Sequence, residues 1–171
     1  MSLFILRDEI LKKHSKEQCD MIVAWVGSDQ KRFDELFELF LNDDAIVVQR
    51  SGWPMSYCVE AYPELIKKHF ARLIKNLKKE KLHDAVKRNS TRALKYVDIP
   101  EKYQGEIMDI CFNYVASPTE SVGVKVFSLD ILGKLAKDYP EILPEIKLLI
   151  EEQWPHQTPG FKSSAKRIMK L

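Results

Sequence analysis

Lys87, Arg88, Arg92 and Lys95 are the side chains of this sequence best spaced to do chemistry together. Their spacing places them along one side of a helix. Counting back 38 residues, the positions matching Arg88, Thr91 and Lys95 hold Arg50, Trp53 and Tyr57. Cations with interleaved aromatic rings suit two kinds of partner. One is a nucleic acid, with phosphates on the cations and a base stacked on a ring. The other is an acidic peptide carrying an apolar anchor. A purely structural reading competes with both, because charge runs commonly mark solvated helix faces and a Trp at such a position can pack under a neighbouring loop. Arg50, Trp53, Tyr57, Lys87, Arg88, Arg92 and Lys95 are therefore the candidate binding set.

Other chemistries lack a constellation. His14, His69, His83 and His156 are scattered, with no His-x-x-x-His pair and no Cys/His cluster at metal-ligand spacing. There is no Gly-rich phosphate loop and no Gly-x-Ser-x-Gly elbow. Asp130 is the one carboxylate at a position where the matching residues are Arg92 and Pro54, and a salt bridge to Arg92 or another base is the expectation for it. The sequence assigns no catalytic residue, no metal and no cofactor.

Charge is unevenly spread. Residues 1–63 carry 7 basic and 11 acidic side chains, whereas residues 64–102 carry 12 and 5, a net +7. That block holds the candidate cations and favours an acidic partner. Hydrophobic content of 45% with 30% charged residues is that of a folded globular chain, not a disordered one. The apolar runs are too short to cross a bilayer, so no membrane partner is expected. The opening MSLFILRDEILKK has no basic segment before its apolar start and reads as a first helix rather than a signal peptide. Cys19, Cys58 and Cys111 are odd in number and far apart, as buried thiols of a reducing compartment would be, and the expected location is cytoplasmic.

The elements that must position these residues are helices. A first helix is expected from Leu3 to about Lys13, and a second capped by Ser15 with Gln18 at the capping-box position and Met21, Ile22, Trp25 and Val26 as its stripe. Gly27 ends it. Ser28 or Asp29 opens a third, with Phe33, Leu36, Phe37, Phe40 and Leu41 on one face. Beyond Asn42 helices are expected from Asp43 or Asp44 to about Ala61, from Pro63, from His83 or Asp84 to about Val97, from Pro100, from Ser117-Pro118 to Tyr139, and from Pro140. A loop from Trp154 to Gly160 and a short helix from Phe161 to Leu171 finish the chain. Pro54 lies inside the helix ending at Ala61 and should kink or break it. Val48, Val86 and Val124 recur at intervals of 38, followed by Phe161 after 37. Tyr62-Pro63-Glu64, Ile99-Pro100-Glu101 and Tyr139-Pro140-Glu141 recur with them. Periods in this range mark stacked helix-pair repeats. In that register Gly52, Ser90 and Ser128 are small residues on a packing face, where they allow close helix approach.

The pattern resembles the HEAT-repeat family of armadillo-type α-solenoids. The residues that carry the resemblance are Asp43 with Val48, Gln49 and Arg50, then Val86-Lys87-Arg88 with Ala93-Leu94, then Val124-Lys125 with Ile131-Leu132. Gln49, Lys87 and Lys125 stand where the family has Arg, and Lys81 and Thr119 where it has Asp, which interrupts the family's ladder between repeats. The resemblance implies an all-α fold, a right-handed α-α superhelix of about nine helices. It implies one domain over residues 1–171, with N-terminal capping helices in 1–42 and repeats in 43–171. In such a stack the second helices line the concave side, which makes the candidate set a basic concave face. The function expected is a non-enzymatic scaffold that binds an acidic protein partner there. The alternative is nucleic-acid binding, in the manner of HEAT-like alkylpurine DNA glycosylases, which hold DNA against a basic face.

Overall fold

The computed structural model describes residues 4–171 and is all-α, with ten helices and no strand among them. Two compact units divide the chain at Val97 and Asp98. The expected helix start at Leu3 lies outside the described residues. The first unit holds α1 (Leu6–Lys12), α2 (Lys16–Val26), α3 (Gln30–Asn42), α4 (Ala45–Ala61), α5 (Phe70–Leu77) and α6 (Asp84–Lys95).

Local chemistry sets most of these boundaries. The Ser15 hydroxyl accepts from the Gln18 backbone N–H, and the Asp29 carboxylate accepts from those of Lys31 and Arg32. Gly27 ends α2 at φ 51°, a conformation that costs other residues more. The Gln18 side chain does not close a capping box. It donates instead to the Glu9 carbonyl at 2.7 Å, which ties α2 to α1. Pro63 opens a 3₁₀ stretch to His69 before α5 begins, where a single helix was expected.

α4 is the centre of the first unit. It packs against α1, α2, α3 and α6, and Val47, Ser51, Gly52, Pro54, Met55, Cys58 and Val59 are all buried on it. α3 supplies Phe33, Leu36, Phe37 and Phe40, each with no exposed surface. Burial of one such side chain is worth about 1.5–3 kcal/mol, so this stripe fixes α3 on α4. Leu41 is only half-buried, and Met21 of the α2 stripe is exposed. The Asp34 carboxylate of α3 meets His69 Nε2 at 2.7 Å, while Gln30 reaches both Asp34 and the Leu65 carbonyl. Those bonds hold the 3₁₀ stretch against α3.

The close approach expected at Gly52 is present. A Cβ there would lie 2.9 Å from Asn89 Nδ2 and 3.2 Å from Phe40 Cε2, so only glycine lets α6 and α3 sit this near to α4. α4 continues as one helix through Pro54 to Ala61, so the break that Pro54 could have caused does not occur. Ser90 and Ser128 are buried as the register required, together with Val86, Ala93, Leu94 and Val97, but Val48 is half-buried and Val47 takes the deepest place.

The second unit holds α7 (Glu101–Ala116), α8 (Val122–Leu135), α9 (Leu143–Gln153) and α10 (Pro159–Ile168). α8 is buried on most sides, and α7 and α10 pack on it. α8 starts at Val122, capped by Ser121, and not at Ser117-Pro118 as expected, and it ends at Leu135 rather than Tyr139. The expected loop from Trp154 is a 3₁₀ turn to His156, and Pro159-Gly160 belong to the first turn of α10. Lys125 is only 4% exposed and donates to Gln153 Oε1 at 2.7 Å, while Gln153 Nε2 donates to the Val115 carbonyl at 2.7 Å. Desolvation pushes the Lys125 ammonium below its ordinary pKa.

Candidate functional site

α4 and α6 lie side by side and carry all seven candidate residues, six of them between the ends of the helices and Lys95 at the last position of α6. Their environments differ. Arg92 is the most committed: its side chain is 13% exposed and pairs through Nη2 with the Glu60 carboxylate, and Nη1 donates to Ser56 Oγ at 3.4 Å. Its guanidinium centre lies 3.9 Å from the centroid of the Tyr57 ring and 5.1 Å from that of Tyr96. A guanidinium held over an aromatic ring in this way adds about 0.5–2 kcal/mol per contact. Burial works to raise the Glu60 carboxyl, but the Arg92 hydrogen bond and charge prevail and hold it below the usual range. Burial, followed by the Glu60 hydrogen bond, pushes the Tyr96 phenol up.

Tyr57 also receives Lys16 Nζ, 4.9 Å from its ring centroid, from the first turn of α2. Lys16 in turn pairs with Asp20. The Asp20 hydrogen bond is the main cause that raises the Lys16 pKa. Trp53 is half-buried. Its ring stands edge-on to His14 at 5.5 Å and to Tyr57 at 6.2 Å, so it packs against the segment between α1 and α2. The cleft around it, lined by His14, Gln18, Cys19 and Arg50 among others, holds about 10 Å³, room for one water. Arg50 Nη1 donates to the Leu11 carbonyl at 2.9 Å and ties the end of α1 to α4. A carbonyl leaves the guanidinium charge uncompensated.

The remaining cations sit further out on α6. Arg88 is exposed, whereas Lys87 and Lys95 are half-buried, and Lys95 Nζ lies 5.5 Å from the Tyr96 ring centroid. Thr91, placed by the register on this same face, is fully buried and donates its hydroxyl to the Lys87 and Arg88 carbonyls. The salt bridge expected for Asp130, to Arg92 or another base, forms with Arg167. Within the second unit, Asp130 Oδ1 accepts from Ser164 Oγ at 2.9 Å and from Arg167 Nη2 at 2.8 Å.

Sequence reasoning missed Lys16, Glu60 and Tyr96 as parts of this arrangement. Tyr57 with Glu60 and Arg92 with Tyr96 are pairs at three and four residues, the spacing of neighbours on a helix face, and that was a usable signal. Lys16 reaches Tyr57 only through the packing of α2 on α4, which has no local signature. Together these side chains form a rigid face that is cationic at its rim. Among the described residues no group of three His, Cys, Asp or Glu side chains could hold a metal ion, and no helix is long and apolar enough to cross a membrane.

The family model for a HEAT repeat domain matches residues 6–171. No curated protein and no solved structure matches the chain.

Proposed function

The chain belongs to the HEAT repeat domain family, and we propose that it is a non-catalytic scaffold that binds an acidic protein partner on the basic face of α4 and α6. HEAT stacks line their concave side with such second helices, and helical repeats of this kind serve as interaction surfaces. The observation that carries the reading is the stack of Arg92 on Tyr57 and Tyr96, closed by Glu60, with Arg50, Lys87, Arg88 and Lys95 around it. A face held this firmly loses little side-chain freedom when a partner's carboxylates arrive. An acidic protein fits better than a stacked base, because Tyr57 already receives two cations of its own chain and Trp53 packs against His14. Nucleic-acid binding is the alternative outcome of the test.

The test compares a labelled oligoglutamate peptide with a labelled single-stranded oligonucleotide by fluorescence anisotropy. The peptide should bind, and Lys87→Glu with Arg88→Glu should abolish binding without loss of helicity. Arg92→Glu is unsuitable, because it would set a second carboxylate beside Glu60 and unfold the face. Tighter binding of the oligonucleotide, with a steep fall in salt, would favour the nucleic-acid reading. Failure of both probes to respond to the double reversal would mean that the stripe is only a solvated face.

A further inference from the structure

The second unit carries a groove that the α4–α6 face does not use. It lies between the end of α9 with its Trp154–His156 turn and the face of α10. Its volume is about 590 Å³, and Trp154, Pro155 and Met169 line it with apolar surface. Ile150 is fully buried, and Met169 remains 37% exposed. The α10 side is cationic, since Lys162 and Lys166 follow at an interval of four on the helix and Lys170 lies just past its end. Lys166 and Lys170 line the groove, and Lys162 Nζ lies 5.5 Å from the Trp154 ring centroid. Glu151 stands on the other wall, followed by exposed Glu152.

We propose that this groove docks an acidic amphipathic helix of a protein partner. Apolar side chains of that helix would cover Trp154 and Met169, and carboxylates at four-residue intervals would face Lys166 and Lys170. The volume falls in the range of sites that bury a few side chains, and an apolar channel with a charged wall is how grooves receive amphipathic helices. The two walls differ in sign, so the occupant must carry its acidic residues on one side only. A helix can segregate charge in this way. An anionic lipid surface cannot, and it would meet Glu151 and Glu152 with like charge.

The probe is a synthetic helical peptide with Leu and Phe on one face and Glu at every fourth position of the adjacent one. It is titrated into the full chain while the Trp154 indole N–H resonance is followed, assigned through Trp154→Phe. The Trp154 signal should move and that of Trp53 should not, which separates this site from the α4–α6 face. Lys166→Glu with Lys170→Glu should weaken the peptide by about tenfold or more, and a Lys version of the peptide should not bind. The proposal is overturned if the peptide leaves Trp154 unmoved or binds the double reversal equally well. It is also overturned if only anionic vesicles move the signal, or if the chain self-associates through this groove, seen as a dimer in sedimentation that Met169→Glu abolishes and the peptide does not displace.

Discussion

Gly52→Ala should destabilise the protein, although alanine is the better helix former. At a position inside a helix the exchange gains about 1 kcal/mol in backbone propensity. Against this, the new Cβ would lie 2.9 Å from Asn89 Nδ2, 3.1 Å from Asn89 Cβ and 3.2 Å from Phe40 Cε2. None of these neighbours moves freely. Asn89 Nδ2 donates to the Ala85 carbonyl at 2.8 Å and Asn89 Oδ1 accepts from Ser56 Oγ at 3.3 Å, while Phe40 has no exposed surface. Overpacking of this kind costs about 1–3 kcal/mol, and a displaced buried amide adds about 1–3 kcal/mol. A net loss of about 1–5 kcal/mol is expected, read as a lower urea midpoint at unchanged slope. Gly105→Ala in α7 is the control. Its Cβ would meet nothing within 4 Å, so that variant should gain about 0.5–1 kcal/mol. In an Asn89→Ala background the Nδ2 contact is absent, and the added cost of Gly52→Ala should fall. A Gly52→Ala protein as stable as wild type would refute the close approach of α4 and α6.

Two further outcomes follow from buried and paired groups. Burial works to raise the Asp34 carboxyl, but hydrogen bonds from Lys68, Gln30 and His69 outweigh it and hold the group at about 2. Because this lies below the unfolded value of about 3.9, its contribution is complete above that value and is lost as pH falls through about 2. Asp34→Asn should therefore be less stable than wild type at neutral pH, and the gap should narrow on acidification in urea titrations; a gap independent of pH would contradict the pairing. Burial also pushes the thiols of Cys19, Cys58 and Cys111 up to about 11, 12 and 12. Ellman's reagent in mildly alkaline buffer should find no fast-reacting thiol until the chain is unfolded and all 3 react.

The fold was legible because its determinants repeat and are local. Apolar residues at helical spacing, a Ser or Asp cap, and a glycine in the left-handed region each act within a few residues. Boundaries failed where two local arrangements competed for the same groups. Ser117 and Ser121 can each cap a helix, but the Ser117 hydroxyl accepts from the Thr119 N–H at 3.2 Å and closes a turn. That leaves Ser121 to accept from Val124 and start α8. Gln18 likewise had a local role open to it in a capping box. The neighbouring Glu9 carbonyl supplied a better acceptor, and nothing within α2 announces that carbonyl.

The candidate face shows the same division more sharply, and it changes which charges can act on a partner. The repeat register pairs Arg92 with Pro54 and Lys95 with Tyr57, and so treats the cations as a row of equals. Contact between two helices is set by their spacing, which the Gly52–Asn89 approach fixes. At that spacing a long guanidinium reaches past its register partner to the turn that carries Tyr57 and Glu60. Arg92 is thereby spent on its own chain, its charge offset by Glu60, and Thr91 is withdrawn into the core. Arg88 is the exposed cation of the α6 row, and the Leu11 carbonyl that Arg50 bonds is neutral and does not offset its charge. The net +7 counted along residues 64–102 therefore overstates the field at this face. If the face binds an acidic partner as proposed, selectivity would come from Arg88, Arg50 and the flanking lysines, with Arg92 and Tyr57 as the floor against which they are held.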